Sequence, residues 1–205
     1  MHHGRTLLTL LALATATTSC RLLRPDPQMT AGDSVEVAEP AQAPGVQAPR
    51  RTGPLRDANI AAMVLALNNT DISYARLVPS RSRRDDVTRF AERMLTDHVG
   101  LNSLVTGLLT RMDIAAEDNI ASLDMRDESA TKRDLMRDLE GFAFDSTYVT
   151  NEVSYHQKFL ASLDNEMLPN VKNADLRSLL TTMRPAVAAH LAHAEQLWAD
   201  VMAKR

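Results

Sequence analysis

The sequence predicts an all-α protein whose folded part is a four-helix bundle, and three observations carry that prediction. Leu, Ala, Met and charged residues abound, while aromatic residues are 4% of the 205, a balance that favours helix over sheet. Apolar residues recur at steps of three and four along four separate stretches, the spacing of helices that each bury one face. Two short connections and one long central one join these stretches, so neighbouring helices pair antiparallel.

The chain opens with Arg5, an apolar run from Leu7 to Ala16, and the small residues Thr17, Thr18 and Ser19 before Cys20. The run is too short to span a bilayer and is laid out as a secretion signal. Small residues before a cysteine at this place resemble the lipobox of bacterial lipoproteins. That resemblance implies acylation of Cys20 and a mature chain held to a membrane by its lipid. Arg21 follows Cys20, where an aspartate would signal inner-membrane retention, so the expected address is the periplasmic face of the outer membrane. Residues 21–56 are rich in Pro and Ala, with Pro25, Pro27, Pro40, Pro44, Pro49 and Pro54 and no periodicity. Such a segment buries too little apolar area to offset the entropy of ordering it. It reads as a disordered tether with a span of roughly 30 Å.

The bundle domain is expected over residues 57–205. Its first helix carries Ile60, Met63, Val64, Leu67, Asp71, Tyr74, Ala75 and Val78 on one face, with Pro79 marking Val78 as its boundary. A short link, Pro79 to Arg84, leads into a long helix from Asp85 to Met112, with Ser82 or Asp85 as N-cap. Its stripe runs through Val87, Phe90, Met94, His98, Leu101, Val105 and Leu108. Periodicity weakens from Asp113 to Gly141, where only Thr131 to Glu140 reads as a short helix, with Gly141 as the residue after its end. The third helix spans Phe142 to Leu163. After a loop at Pro169 the fourth runs from Leu176 to Val201, with Pro185 expected to bend it.

Each stripe is interrupted by ionisable residues: Asp71 on the first helix, His98 on the second, Asp145, Glu152 and His156 on the third, and His190 on the fourth. Buried ionisable groups need partners, so residues from all four helices are expected to meet. Imidazole with carboxylate suits iron, manganese or zinc, which makes these six residues a candidate metal set. The same residues also suit a self-contained polar network that sets helix register without a cofactor. No helix carries the Glu-x-x-His pair of di-iron bundles, since Glu152 and His156 are four apart.

The segments Phe90-Ala91-Glu92-Arg93-Met94-Leu95-Thr96-Asp97-His98, Gly141-Phe142-Ala143-Phe144-Asp145 with Tyr148 and His156, and Pro185 with His190-Leu191 resemble the bacterial extracytoplasmic family "domain of unknown function 4142". Members are commonly labelled outer membrane proteins and placed with ferritin-like helical bundles. The resemblance implies that fold and an extracytoplasmic location, without implying an activity.

Several functions are excluded or disfavoured. A net charge of -3 and pI near 6.1 oppose nucleic-acid binding, which needs a basic surface. The single cysteine permits no internal disulfide and no cysteine-rich zinc site. Gly-rich phosphate loops and nucleophile elbows are missing from the sequence. The expectation is a non-enzymatic structural or binding module of the envelope, serving maintenance or stress tolerance through a protein partner. The alternative is a metal-dependent oxidase or metal-handling protein.

Overall fold

The computed structural model describes residues 54–203. Cys20 and the segments read as secretion signal and tether, up to residue 53, lie outside them. Within the described residues the chain is helical, without strands: α1 (Asp57–Ala75), α2 (Val78–Arg81), α3 (Asp85–Met112), α4 (Ile120–Arg137), α5 (Gly141–Ser162), α6 (Leu168–Asn170) and α7 (Ala174–Ala203). The four long helices expected from the periodicity are α1, α3, α5 and α7. α1 packs along α3, α5 along α7, and α3 meets α7 to close the bundle.

Ile60, Met63, Val64, Phe90, Met94, Phe144, Tyr148, Phe159, Leu180 and Val187 are buried between the long helices. Each such side chain contributes on the order of 2 kcal/mol by leaving water. The deepest element is α1, where Ala58, Ala61, Ala62 and Ala66 are buried as well as the expected stripe. These small side chains on its other flank leave room for a fifth helix. That helix is α4, which lies against α1.

α4 corrects the expectation of one short helix from Thr131 to Glu140: it starts at Ile120 and stops at Arg137. Its buried residues are Ser122, Ser129 and Met136, seven apart and mostly small and polar, so no apolar stripe marked it. Asn119 caps its start, with Oδ1 accepting from the Ser122 amide at 2.8 Å. Gly141 does have a positive φ of 56°, but as the first residue of α5 rather than as the end of the preceding helix.

Other boundaries also shift. α1 ends at Ala75, and Val78 belongs to the separate single turn α2, where Pro79 takes a position that needs no helical amide partner. The N-cap of α3 is Arg84 and not Ser82 or Asp85. Ser82 Oγ instead accepts from the Arg84 amide, and Asp86 Oδ1 from the Val87 amide. α5 continues through a π-helical turn, Leu163–Met167, into α6, so Pro169 lies in a helical turn and the loop follows it. The Asp57 carboxylate at the start of α1 accepts from the Lys172 and Asn173 amides and ties that loop down. The tether's last residues are part of the fold too: Leu55 packs on the core and Arg56 pairs with Glu117.

Candidate metal centre

Five of the six expected side chains converge where α1, α3, α5 and α7 face one another. Asp71, Glu152 and His156 are fully buried, His98 is 1% exposed and His190 7%. Asp71 lies at the centre, with Oδ2 3.2 Å from His98 Nε2 and 3.3 Å from His156 Nε2. The imidazoles of His98, His156 and His190 stand with centroids 5.4 to 6.0 Å apart. One ring nitrogen from each lies within 4.8 Å of the others, as do donor atoms of Asp71, Glu152 and His156.

Where each ring proton goes follows from the other nitrogen's partner. His156 Nδ1–H donates to the Glu152 backbone carbonyl at 2.9 Å, a group that can only accept. His98 Nδ1–H donates to Asn68 Oδ1 at 3.0 Å. His190 Nε2–H donates to Asp97 Oδ2 at 2.9 Å, and Arg93 Nε holds the same oxygen at 2.5 Å. A neutral imidazole carries one ring proton, so in that form each histidine has one unprotonated nitrogen. Those nitrogens, His98 Nε2, His156 Nε2 and His190 Nδ1, are buried without a hydrogen-bond partner, and so are both oxygens of Asp71 and of Glu152. The two short contacts to Asp71 have ion-pair distance but not hydrogen-bond alignment.

The charges sharpen this arrangement. Burial pushes the Asp71 carboxyl up, but positive charge on the imidazoles, His98 first, and a hydrogen bond from His98 more than offset that and leave it below its usual range. Burial depresses His156 to about 4, against the pull of Asp71, so it is neutral at pH 7. His190 is lowered for the same reason. Glu152 is raised well above its ordinary value by burial and by the Asp71 charge. An ionised Asp71 about 3 Å from two ring nitrogens needs positive charge beside it, which a proton on a neighbouring imidazole or a bound cation supplies.

His156 joins two overlapping donor triads, and part of this set has the spacing of ligands around a divalent transition ion. With bonds near 2.0 to 2.1 Å, neighbouring ligands on a tetrahedron stand about 3.3 Å apart. The Asp71 contacts of 3.2 and 3.3 Å have that spacing. Outer hydrogen bonds from ligating histidines to a carboxylate, an amide or a backbone carbonyl are what metal sites use to orient the rings.

Asp145 is the expected residue that the fold does not bring in. It is buried near the start of α3, beside Ser82 and Arg84, where burial raises its pKa. Its place on α5 is seven residues, nearly two turns, before Glu152. His193 also stays outside, exposed, with its ring edge on Phe90 at 5.0 Å. Asn68 and Asp97, which hold His98 and His190, were not among the expected site residues. Asn68 is three residues before Asp71 and could have been found by that spacing. Asp97 is next to His98 in sequence and offers no such signal, because its role depends on α7 lying beside α3. Tyr155 completes the wall, its ring perpendicular to that of His156 with centroids 5.4 Å apart and its hydroxyl donating to the Leu67 carbonyl.

A structure from Streptomyces coelicolor described as a secreted DUF305 protein is similar in fold, with a TM-score of 0.60 at 11% identity, covering 69% of this chain and 91% of that one. No protein with a curated description matches the sequence. The sequence model of the family described as "Domain of unknown function (DUF4142)" matches residues 40–197 and begins inside the segment read as tether. A match over that much of the chain, covering all five long helices up to the last turns of α7, places this protein in the DUF4142 family.

Proposed function

We propose that this is an exported envelope protein whose helical bundle binds one divalent transition-metal ion, with Asp71, His98, His156 and His190 as ligands and Glu152 beside them. The carrying observation is His156: its Nδ1 proton is committed to a backbone carbonyl, so in its neutral form at pH 7 it leaves an unprotonated, unpartnered Nε2 3.3 Å from Asp71. A bound cation satisfies both. Zinc, iron and manganese suit this mixture of nitrogen and oxygen donors. Bound there, the ion would supply Lewis acidity, and redox chemistry if it were iron or manganese.

The signal layout, Cys20 and the Pro-rich spacer support a lipid-anchored location at the periplasmic face, and the similar secreted protein is consistent with export. Among the described residues no helix is long and apolar enough to cross a membrane. Under this reading the protein is ferritin-like in architecture but mononuclear in its site, since the paired Glu-x-x-His motif is missing.

The test is total metal analysis of full-length protein purified without chelator, beside His98→Ala. One ion per chain in the wild type and a loss of at least tenfold in the variant, with helical content retained, is the expected result. A metal-free wild type that also fails to take up added zinc, iron(II) or manganese(II) refutes it. In that event the cluster is a buried polar network and the module acts through a protein partner.

A further inference from the structure

We infer that the ion reaches the buried cluster through the groove between α3 and α7, and that Asp97 at its rim captures the ion and passes it to His190. This rests on the metal reading above. The groove has a volume of about 510 Å³ and is lined by Asp97, His98, Leu101, Leu104, Met183 and His190, among others. It is therefore a depression whose floor is made of two members of the cluster. Two other grooves, beside α4, reach Tyr74 and Tyr155 or Met136 and Asn151, and neither contains a donor residue of the cluster.

A hydrated divalent ion does not cross packed apolar side chains, so its path needs a polar group at each stage. The α3–α7 groove supplies such a series. Asp97 has a side chain 33% exposed, in reach of hydrated ions, while His190 behind it is 9% exposed and His98 1%. Asp97 Oδ2 already accepts from His190 Nε2 and Arg93 Nε, so an ion arriving at this carboxylate stands one imidazole ring away from Nδ1, the His190 atom left to ligate. The remaining walls are mostly aliphatic and hold the ion to that track.

Gly100 offers a way to close the groove without disturbing the site. It lines the groove within α3, and a Cβ built there meets nothing within 4 Å. Gly100→Phe can thus place a ring in the groove while the helix stays in place. A plug leaves the bound state alone, so it must slow entering and leaving by the same factor.

The experiment is stopped-flow uptake of Co²⁺ by the chelator-stripped full-length protein, read by the visible absorption of the bound ion, with dissociation measured by chelator chase. In Gly100→Phe both rates are expected to fall at least tenfold, with the dissociation constant within threefold of wild type. In Asp97→Asn association is expected to slow at least tenfold; a residue that merely positioned His190 would raise the dissociation rate and leave association unchanged. Wild-type rates in Gly100→Phe overturn the port alone. Unchanged association in Asp97→Asn overturns the capture role. A wild type that takes up no Co²⁺, by absorption or by direct metal analysis, overturns the metal centre and the port together.

Discussion

Replacing Asp71 by asparagine separates a metal centre from a self-contained polar network by the sign of its effect on stability. Asparagine has nearly the same shape, so no cavity opens at a position that is fully buried. Its amide nitrogen, placed where Oδ2 now lies, would stand 3.2 Å from His98 Nε2 and 3.3 Å from His156 Nε2. It has two N–H groups, and a small turn of the rings and the amide that brings them into line would give those two nitrogens the hydrogen bonds they lack. Each hydrogen bond formed contributes about 0.5 to 1.5 kcal/mol net, and a buried charge is removed, so the metal-free variant should gain roughly 2 kcal/mol. In a domain of this size that corresponds to a melting temperature about 6 °C higher. Adding ion at a hundred times the wild-type dissociation constant should stabilise wild type by about 2.7 kcal/mol and the variant far less, inverting the order. Urea melts at pH 7.5, with chelator and with zinc, measure both quantities. A chelated Asp71→Asn protein that is weaker than wild type by 1 kcal/mol or more would refute the reasoning, because Asp71 would then be accepting imidazole protons that asparagine cannot receive as well.

The electrostatics and the backbone make two further predictions. His156 titrates near 4 in the fold and near 6.5 in the unfolded chain, so its contribution is whole above pH 6.5 and is lost as pH falls from there to 4, by on the order of 3 kcal/mol. His190 acts in the same direction. Glu152 opposes them, since its raised pKa gives stability below the unfolded value of 4.5 that is lost as pH rises. Urea melts of chelated protein from pH 4.5 to 7.5 should therefore show a steeper rise of stability with pH in Glu152→Gln than in wild type, and parallel curves would contradict the assignment. Gly141 has φ of 56° with open space around its missing Cβ, so Gly141→Ala should cost about 1 to 2 kcal/mol from the backbone alone; a neutral result in thermal melts would mean that the start of α5 relaxes.

Much of this molecule could be read locally. Steps of three and four mark α1, α3, α5 and α7, because a helix that buries one face must repeat apolar residues at that spacing. The interruptions at Asp71, His98, Glu152, His156 and His190 stood out for the same reason, as polar residues on stripes that are otherwise apolar. α4 escaped because the residues it buries are Ser122, Ser129 and Met136, on a helix that packs along the alanine-rich α1. A close approach of small side chains leaves little hydrophobic pattern.

What only the tertiary structure decided is which of those interruptions meet, and which atoms they turn toward one another. Asp145 and Glu152 look alike in sequence, yet one sits beside Arg84 near the start of α3 and the other beside Asp71. Asp97 lies off the apolar stripe of α3, and it is α7 that brings His190 within 2.9 Å of it. The commitment of one proton on each imidazole is a property of neighbours from other helices, and in one case of its own helix's carbonyl. Sequence alone determined that ionisable groups would be buried, since helical periodicity is a short-range rule. The convergence of His98 and His156 on a single carboxylate depends on long-range register, which no local pattern encodes.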